Sequence, residues 1–160
     1  MGSSGWNSFY KTATDESGGN YAGTLISQYP VRPGAVTSVT VYFETGNTFH
    51  LSVGKKNIPK LQSIGNPFFM PDNVGIWTPS GTKYTNQNHI PYTAPFYEGD
   101  NVTMTIDLRP YKNCVSYAKN GLDLGIAFQG LGEWGTDIYI MLFLYGKNTR
   151  LKITDYRVQE

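Results

Sequence analysis

Residues 114–128 read CVSYAKNGLDLGIAF, and this stretch decides the fold. At its centre stands Asn120-Gly121, a pair that tolerates the positive φ angles of a type I′ turn. Apolar and polar residues alternate on the approach to this pair. The stretch therefore predicts an antiparallel β-hairpin in which residues 124–128 pair back onto residues 114–119.

Alternation with a period of two residues continues upstream of this hairpin and marks further strands. Residues 101–108 alternate and predict a second hairpin with residues 114–119. Residues 38–44 and 48–53 also alternate, and the turn residue Gly46 lies between them. This spacing predicts another hairpin, formed by those two strands.

Two further strands follow downstream. Residues 138–144 are apolar at nearly every position, which is typical of a strand covered on both sides and predicts the most buried strand. Residues 150–158 alternate and predict a closing strand. Residues 57–73 and 79–100 look like long loops rich in turn residues. Eight or more short strands without a sustained helical period indicate an all-β fold, either an antiparallel sandwich or a barrel.

Length and composition set limits on both fold and function. A chain of 160 residues suits one large all-β domain spanning residues 1–160, of which we expect residues 1–20 to be flexible or peripheral. The 13 basic and 12 acidic side chains give a formal net charge of +1. Because so small a charge produces no strong field, we expect no nucleic acid and no membrane among the partners.

Residues with chemical reactivity are few. Cys114 is the only cysteine, so no disulfide can form within the chain, and we expect a reducing, cytoplasmic (intracellular) location. His50 and His89 occur without a nucleophile in an elbow-like setting, and the spacings Cys-x-x-Cys and His-x-x-x-His are missing. We therefore expect no enzymatic activity, no cofactor and no metal.

From Tyr97 onward, short motifs occur in the order and spacing of a known family. They are Gly99-Asp100, Ile106-Asp107-Leu108, residues 115–121 (VSYAKNG) and residues 124–128 (LGIAF). With these motifs the chain resembles the SPRY (SPRY/B30.2) family, and weaker matches extend the resemblance over about residues 39–153. A PRY-like Leu-Asp-Pro segment is not evident upstream.

The resemblance implies an antiparallel sandwich of two sheets, the concanavalin-like jelly roll. It also implies a non-catalytic protein-interaction module that binds a partner protein or peptide through inter-strand loops at one end. Tyr145-Gly146 stands where the family commonly has a Trp-Gly-like pair. The run from Tyr29 to Arg32 falls at an early binding loop of the family.

The residue types at these positions fit an interaction surface, because Tyr offers a rigid area with a hydroxyl and Arg a forked donor. Trp134 lies in a glycine-rich connection and is predicted either to contact a partner or to pack back onto its own domain. We expect one shallow surface with Tyr145 and Gly146 at its centre, and its walls formed by residues 29–32 and by the loops around Lys60 and Trp134. The predicted partner-binding residues are Tyr29, Arg32, Lys60, Trp134, Tyr145, Gly146 and Lys147.

Two other functions stay open from the sequence. A carbohydrate-binding jelly-roll lectin would use ring stacking and polar side chains such as Asn88, His89 or Asn148. A self-associating structural component would pair a tyrosine-rich sheet edge with its copy. Weak self-association is therefore an alternative expectation about partners.

Overall fold

The structure is a computed structural model, and it describes residues 10–13, 23–27, 29–46, 48–55, 73–85, 88–135, 137–145 and 149–160. Within these residues two antiparallel sheets of six strands each face one another. Going across the first sheet, sheet A, the strands are β1 (Tyr10–Ala13), β12 (Thr149–Gln159), β3 (Val36–Thr45), β8 (Asn101–Asp107), β9 (Cys114–Lys119) and β10 (Leu122–Gln129). Sheet B contains β2 (Gly23–Ile26), β11 (Ile138–Tyr145), β4 (Thr48–Lys55), β5 (Asn73–Trp77), β6 (Thr82–Thr85) and β7 (Asn88–Pro91). The predicted all-β sandwich is confirmed.

The hydrophobic core lies between the two sheets and follows from the alternation of apolar residues. On β3, Val39, Val41 and Phe43 are buried while their neighbours in sequence are only partly buried. Phe43 meets Phe49 of β4 edge to face, with ring centroids 5.1 Å apart. Edge-to-face contact is a favourable geometry for aromatic rings, so this pair stabilises the packing of the two sheets.

The hairpin predicted from residues 38–44 and 48–53 is wrong. In the structure β3 pairs with β12 and β8, whereas β4 pairs with β11 and β5. The turn at Gly46 therefore carries the chain from one sheet to the other. The alternation of apolar and polar residues indicates which side chains of a strand face the core, but it does not indicate which other strand pairs with it.

The predicted hairpins around residues 114–119 are confirmed. Asp107 pairs with Cys114 across the β8–β9 hairpin, and Lys119 pairs with Leu122 across the β9–β10 hairpin. The β9–β10 turn has φ 51° at Asn120 and φ 81° at Gly121, as a type I′ turn requires.

The remaining strand predictions meet different outcomes. Strand β11 is buried at every position except its last, as predicted, but β4 is equally buried. The polar face of β4 is also covered, since Thr48, His50 and Ser52 are buried. The predicted closing strand is β12.

Residues 79–100 do not form one long loop, because β6 and β7 lie within them. All four residues of β7 are exposed, so the strand carries no apolar alternation by which the sequence could mark it. Of the other predicted loop, residues 57–72 lie outside the described residues. Residues 10–13, inside the segment expected to be flexible or peripheral, form the edge strand β1.

Hydrogen bonds from long side chains also join the sheets. The Tyr117 hydroxyl, buried on β9, donates to the carbonyl of Leu51 on β4 at 2.9 Å. At the sandwich edge, the Lys83 ammonium on β6 donates to the carbonyl of Ala127 on β10 at 2.8 Å. Among the described residues, no helix reaches the length and hydropathy needed to cross a membrane.

Candidate functional site

Strand register divides those predicted site residues that the structure describes between the two ends of the sandwich. The amide of Val31 donates to the carbonyl of Ile138 at 2.6 Å, which sets Tyr29 and Arg32 at the Ile138 end of β11. Tyr145 closes the other end of β11, opposite Thr48. Over an eight-residue strand these ends lie about 23 Å apart.

The prediction that these residues form a single surface around Tyr145 is therefore wrong, because Tyr29 and Arg32 lie at the other end of β11. Trp134 lies in the connection that leads into Ile138, so it accompanies Tyr29 and Arg32 and not Tyr145. Lys60, Gly146 and Lys147 lie outside the described residues. The order of loops along the sequence does not reveal which end of the sandwich each loop occupies, because that depends on strand direction in the finished sheets.

Three connections at the Ile138 end are joined to one another by backbone hydrogen bonds. They comprise residues 29–35, 108–113 and 130–135, and we call them the loop ring. The amide of Gly34 donates to the carbonyl of Leu108 at 3.1 Å, and the amide of Leu131 donates to the carbonyl of Asn113 at 3.2 Å. The bond from Val31 to Ile138 completes the circuit. Such cross-bonding holds the three connections in one fixed arrangement.

Two tyrosines project from the loop ring into solvent. Tyr29 is 68% exposed and Tyr111 is fully exposed. Tyr111 also has φ 70°, a left-handed conformation that costs a residue other than glycine about 1 kcal/mol or more. The strand pattern of the sequence predicts only a hairpin connection between residues 108 and 114 and does not indicate Tyr111 as a candidate site residue. A large aromatic residue in a turn, where alternation cannot bury it, is the signal that could have found it.

The two arginines of the loop ring are oriented by carboxylates of the same chain. Arg32 forms an ion pair with Glu160. The Arg109 guanidinium donates to both carboxylate oxygens of Asp107, at 3.0 and 2.7 Å. Those hydrogen bonds lower the pKa of Asp107. Asp107 also accepts the Arg109 amide at 3.1 Å and so caps the end of β8.

Trp134 belongs to a short 3₁₀ helix, Leu131–Trp134, and its ring is partly buried against the core. The sequence predicts that Trp134 either contacts a partner or packs onto its own domain, and the structure shows that it packs onto its own domain. The connection approaches the β8–β9 loop closely, because a Cβ added at Gly132 would lie only 2.8 Å from the Asn113 side-chain nitrogen. Glycine at this position therefore allows the two loops to meet.

The Tyr145 end is built from tightly bonded turns. Tyr145 is partly buried, and its carbonyl accepts the Thr149 hydroxyl at 2.7 Å. Asp100 accepts the Tyr97 amide at 2.8 Å and the Asn120 side chain at 2.9 Å. Burial alone would raise the pKa of Asp100, but these hydrogen bonds and the charge of Lys119 outweigh it and lower the pKa.

The two residues suggested for sugar binding that the structure describes do not converge. Asn88 and His89 are successive residues of β7, so their side chains point to opposite faces of sheet B. His89 lies against the rings of Trp77 and Tyr84, with centroids 5.8 and 6.3 Å away. Asn148 lies outside the described residues.

Edge strand β10 is irregular. Its pairing with β9 shifts register between Asp123 and Ile126 and again between Ile126 and Phe128, and Gly125 has φ 88°. Bulges of this kind twist an edge away from straight pairing with another chain.

Among the residues that the structure describes, the groups capable of acid-base or metal chemistry are dispersed or buried. Burial, and secondarily the charge of His89, lowers the pKa of His50 to about 3. Burial raises the pKa of the Cys114 thiol. Within the described part of the chain, no three His, Cys, Asp or Glu side chains gather as metal ligands would.

No protein-family model and no curated protein matches the sequence. Among solved structures, the SPRY domain of human HERC1 matches with a TM-score of 0.69 and 20% sequence identity, covering 91% of this chain and 94% of that one. A human SPRY domain matches with a TM-score of 0.64 and 14% identity, covering 91% and 96%. The resemblance predicted from the sequence is confirmed at the level of the fold.

Proposed function

We propose that this chain, which has the fold of SPRY domains, is a protein-interaction module that binds a segment of a partner protein across the loop ring. The exposure of Tyr29 and Tyr111 on cross-bonded loops is the observation that carries the proposal. Tyrosine contributes a large contact area for little loss of side-chain entropy, which is why it is enriched among residues that dominate binding energy.

Rigidity of the ring supports the same function. Binding surfaces that are already ordered lose less conformational freedom on association, so more of the contact energy appears as affinity. The bonds Val31 to Ile138, Gly34 to Leu108 and Leu131 to Asn113 supply that order. In this proposal Tyr29 and Tyr111 are the anchors, and Arg32 and Trp134 border them.

The proposed role has no catalytic step and no cofactor. His50 is buried as a neutral imidazole among aromatic rings, and the Cys114 thiol is buried with a raised pKa, so neither is poised as a nucleophile or base. A net charge of +1 supports a protein or peptide partner over nucleic acid or a membrane. The single, buried cysteine supports an intracellular location.

Tyr97 provides a matched control for the experiment that tests the proposal. Its side chain is 65% exposed, close to the 68% of Tyr29, but it lies at the Tyr145 end of the sandwich. Peptides selected on the wild-type protein from a random display library would be titrated against Tyr29→Ala, Tyr111→Ala and Tyr97→Ala. Tyr145→Ala would test whether the opposite end, with Gly146 and Lys147 adjacent in sequence, makes a contact of its own.

We expect Tyr29→Ala and Tyr111→Ala each to weaken binding about 30-fold, the effect of losing a dominant interface residue. Thermal midpoints should stay at the wild-type value, because exposed side chains leave no cavity. Tyr97→Ala should bind as the wild type does. The proposal fails if the two ring variants keep full affinity, or if Tyr97→Ala or Tyr145→Ala loses as much affinity as they do.

A further inference from the structure

Some charged side chains in and beside the loop ring form ion pairs within the described part of the chain, and others do not. Its two arginines have carboxylate partners, Arg109 in a two-point contact with Asp107 and Arg32 with Glu160. These cations are therefore already held by anions of the same chain. A partner's acidic groups would have to compete for them.

Two carboxylates beside the ring are in the opposite situation. Glu133 and Asp137 are exposed, and neither forms an ion pair with any residue that the structure describes. The bond between Leu131 and Asn113 sets Glu133 beside the β8–β9 loop that carries Tyr111. Ile138, bonded to Val31, sets Asp137 beside the loop that carries Tyr29. Each of the two carboxylates thus lies beside a loop that carries one of the two exposed tyrosines.

Lys112 is the third positively charged residue of the loop ring. Among the described residues of the three connections, it is the only lysine or arginine without a carboxylate in ion-pair contact. It neighbours Tyr111 in sequence and weakens the attraction of a cation to that tyrosine, so the charges that favour an incoming cation are those of Glu133 and Asp137.

Aromatic faces and unpaired carboxylates attract the same kind of group. A guanidinium or ammonium is drawn to the face of a tyrosine ring, and a guanidinium can at the same time donate to a carboxylate. We propose that the partner segment is cationic, and that its arginine or lysine side chains meet Glu133 and Asp137 while lying against Tyr29 and Tyr111. This inference rests on the proposed function, since it names the chemistry of the partner at that same surface.

The test uses two fluorescent pools of random 12-residue peptides, one with arginine fixed at alternate positions and one with glutamate at those positions. Anisotropy titrations would compare the wild type with Glu133→Gln and Asp137→Asn, and with Tyr29→Ala and Tyr111→Ala. Glu98→Gln is the matched control. Glu98 is an exposed carboxylate at the Tyr145 end, and glutamine keeps an acceptor for its hydrogen bond from the Gly46 amide.

We expect the wild type to bind the arginine pool about tenfold more tightly than the glutamate pool at low salt. Each neutralisation should weaken arginine-pool binding about threefold, the size expected for an exposed charge pair, and Glu98→Gln should leave it unchanged. The preference should shrink in about 0.5 M salt, where screening is strong.

The inference and the proposed function fail in different ways. Equal affinity for the two pools, tighter binding of the glutamate pool, or an equal loss with Glu98→Gln would overturn the inference. So would unchanged binding by Glu133→Gln and Asp137→Asn. If Tyr29→Ala and Tyr111→Ala still lose binding in those cases, the interaction surface stands and only its charge preference is wrong. If the tyrosine variants also bind as the wild type, the proposed function fails as well.

Discussion

The amide of Leu131 donates a hydrogen bond to the carbonyl of Asn113 at 3.2 Å, and through this bond the connection leading into β11 is attached to the β8–β9 loop. Asn113 adopts φ 47° to present that carbonyl. The β8–β9 loop joins two strands of sheet A, whereas the other connection runs from β10 of sheet A to β11 of sheet B. The position of one loop therefore depends on the other.

Gly132→Ala should loosen this attachment. The added Cβ would lie 2.8 Å from the Asn113 side-chain nitrogen, closer than atoms in contact normally approach, so either the Asn113 side chain or one of the two loops must shift. We expect a stability loss of about 1 kcal/mol and faster hydrogen exchange at the Leu131 amide. Exchange measured by NMR checks this, with the neighbouring exposed substitution Glu133→Ala as control. Unchanged exchange at Leu131 would show that the Asn113 side chain simply turns aside.

Gly121→Val should destabilise the protein through backbone strain alone. Gly121 has φ 81° and a Cβ placed there meets no atom within 4 Å, so any loss comes from the left-handed conformation. For a β-branched residue we expect about 1 to 3 kcal/mol. Gly121→Asn should lose less, because asparagine tolerates this region. Urea denaturation of the two variants checks the difference, and equal midpoints would contradict the explanation.

Tyr117→Phe should remove one inter-sheet hydrogen bond without leaving a cavity. The Tyr117 hydroxyl is buried and donates to the Leu51 carbonyl at 2.9 Å, so its loss removes one hydrogen bond from that carbonyl. We expect a stability loss of about 1 to 2 kcal/mol. Burial also raises the pKa of Tyr117 well above its usual value, so this phenol should not ionise while the protein is folded. Tyr97→Phe, at an exposed position, should denature at the wild-type midpoint; if Tyr117→Phe does so too, the bond contributes nothing.

Acid should destabilise the protein through His50. Its pKa is about 3 in the folded protein against 6.5 for an ordinary histidine, so below pH 6.5 the unfolded chain binds a proton that the folded one does not. Stability is therefore full above pH 6.5 and falls as the pH drops toward 3, by up to about 1.4 kcal/mol per pH unit. His50→Gln should flatten that slope. His89→Gln, at an exposed position, should keep most of it, and equal slopes in all three proteins would contradict the assignment.

Local turn chemistry explains what the sequence could predict of the fold. Asn120-Gly121 specifies both a turn and the two strands beside it, because its positive φ angles fit a tight hairpin. Gly46 carries less information. It also has a positive φ, 117°, yet the strands on either side of it enter different sheets. The partner of each strand depends on contacts far away in the chain, which alternation does not encode.

The same limit applies to the candidate site. The residue types of Tyr29 and Arg32, and their match to a binding loop of the SPRY family, predict them as candidate site residues. Their separation from Tyr145 follows from the direction of β11, which only the assembled sheet determines. Tyr111 lies in a turn, where residues have no periodic pattern, so the presence of a large aromatic residue in that turn is the one signal that could indicate it.

The position of β12 bears on how the protein folds. This strand is hydrogen-bonded between β1 and β3, so the pair formed by Val41 and Ile153 joins segments far apart in the chain. Closing so long a loop loses chain entropy before the stabilising contacts between the strands form. Sandwiches rich in such pairs fold on the order of milliseconds to seconds. During synthesis on the ribosome, the edge of β3 that pairs with β12 stays unpaired until β12 has been made. In that interval a chaperone, or a strand of another chain, can bind the unpaired edge.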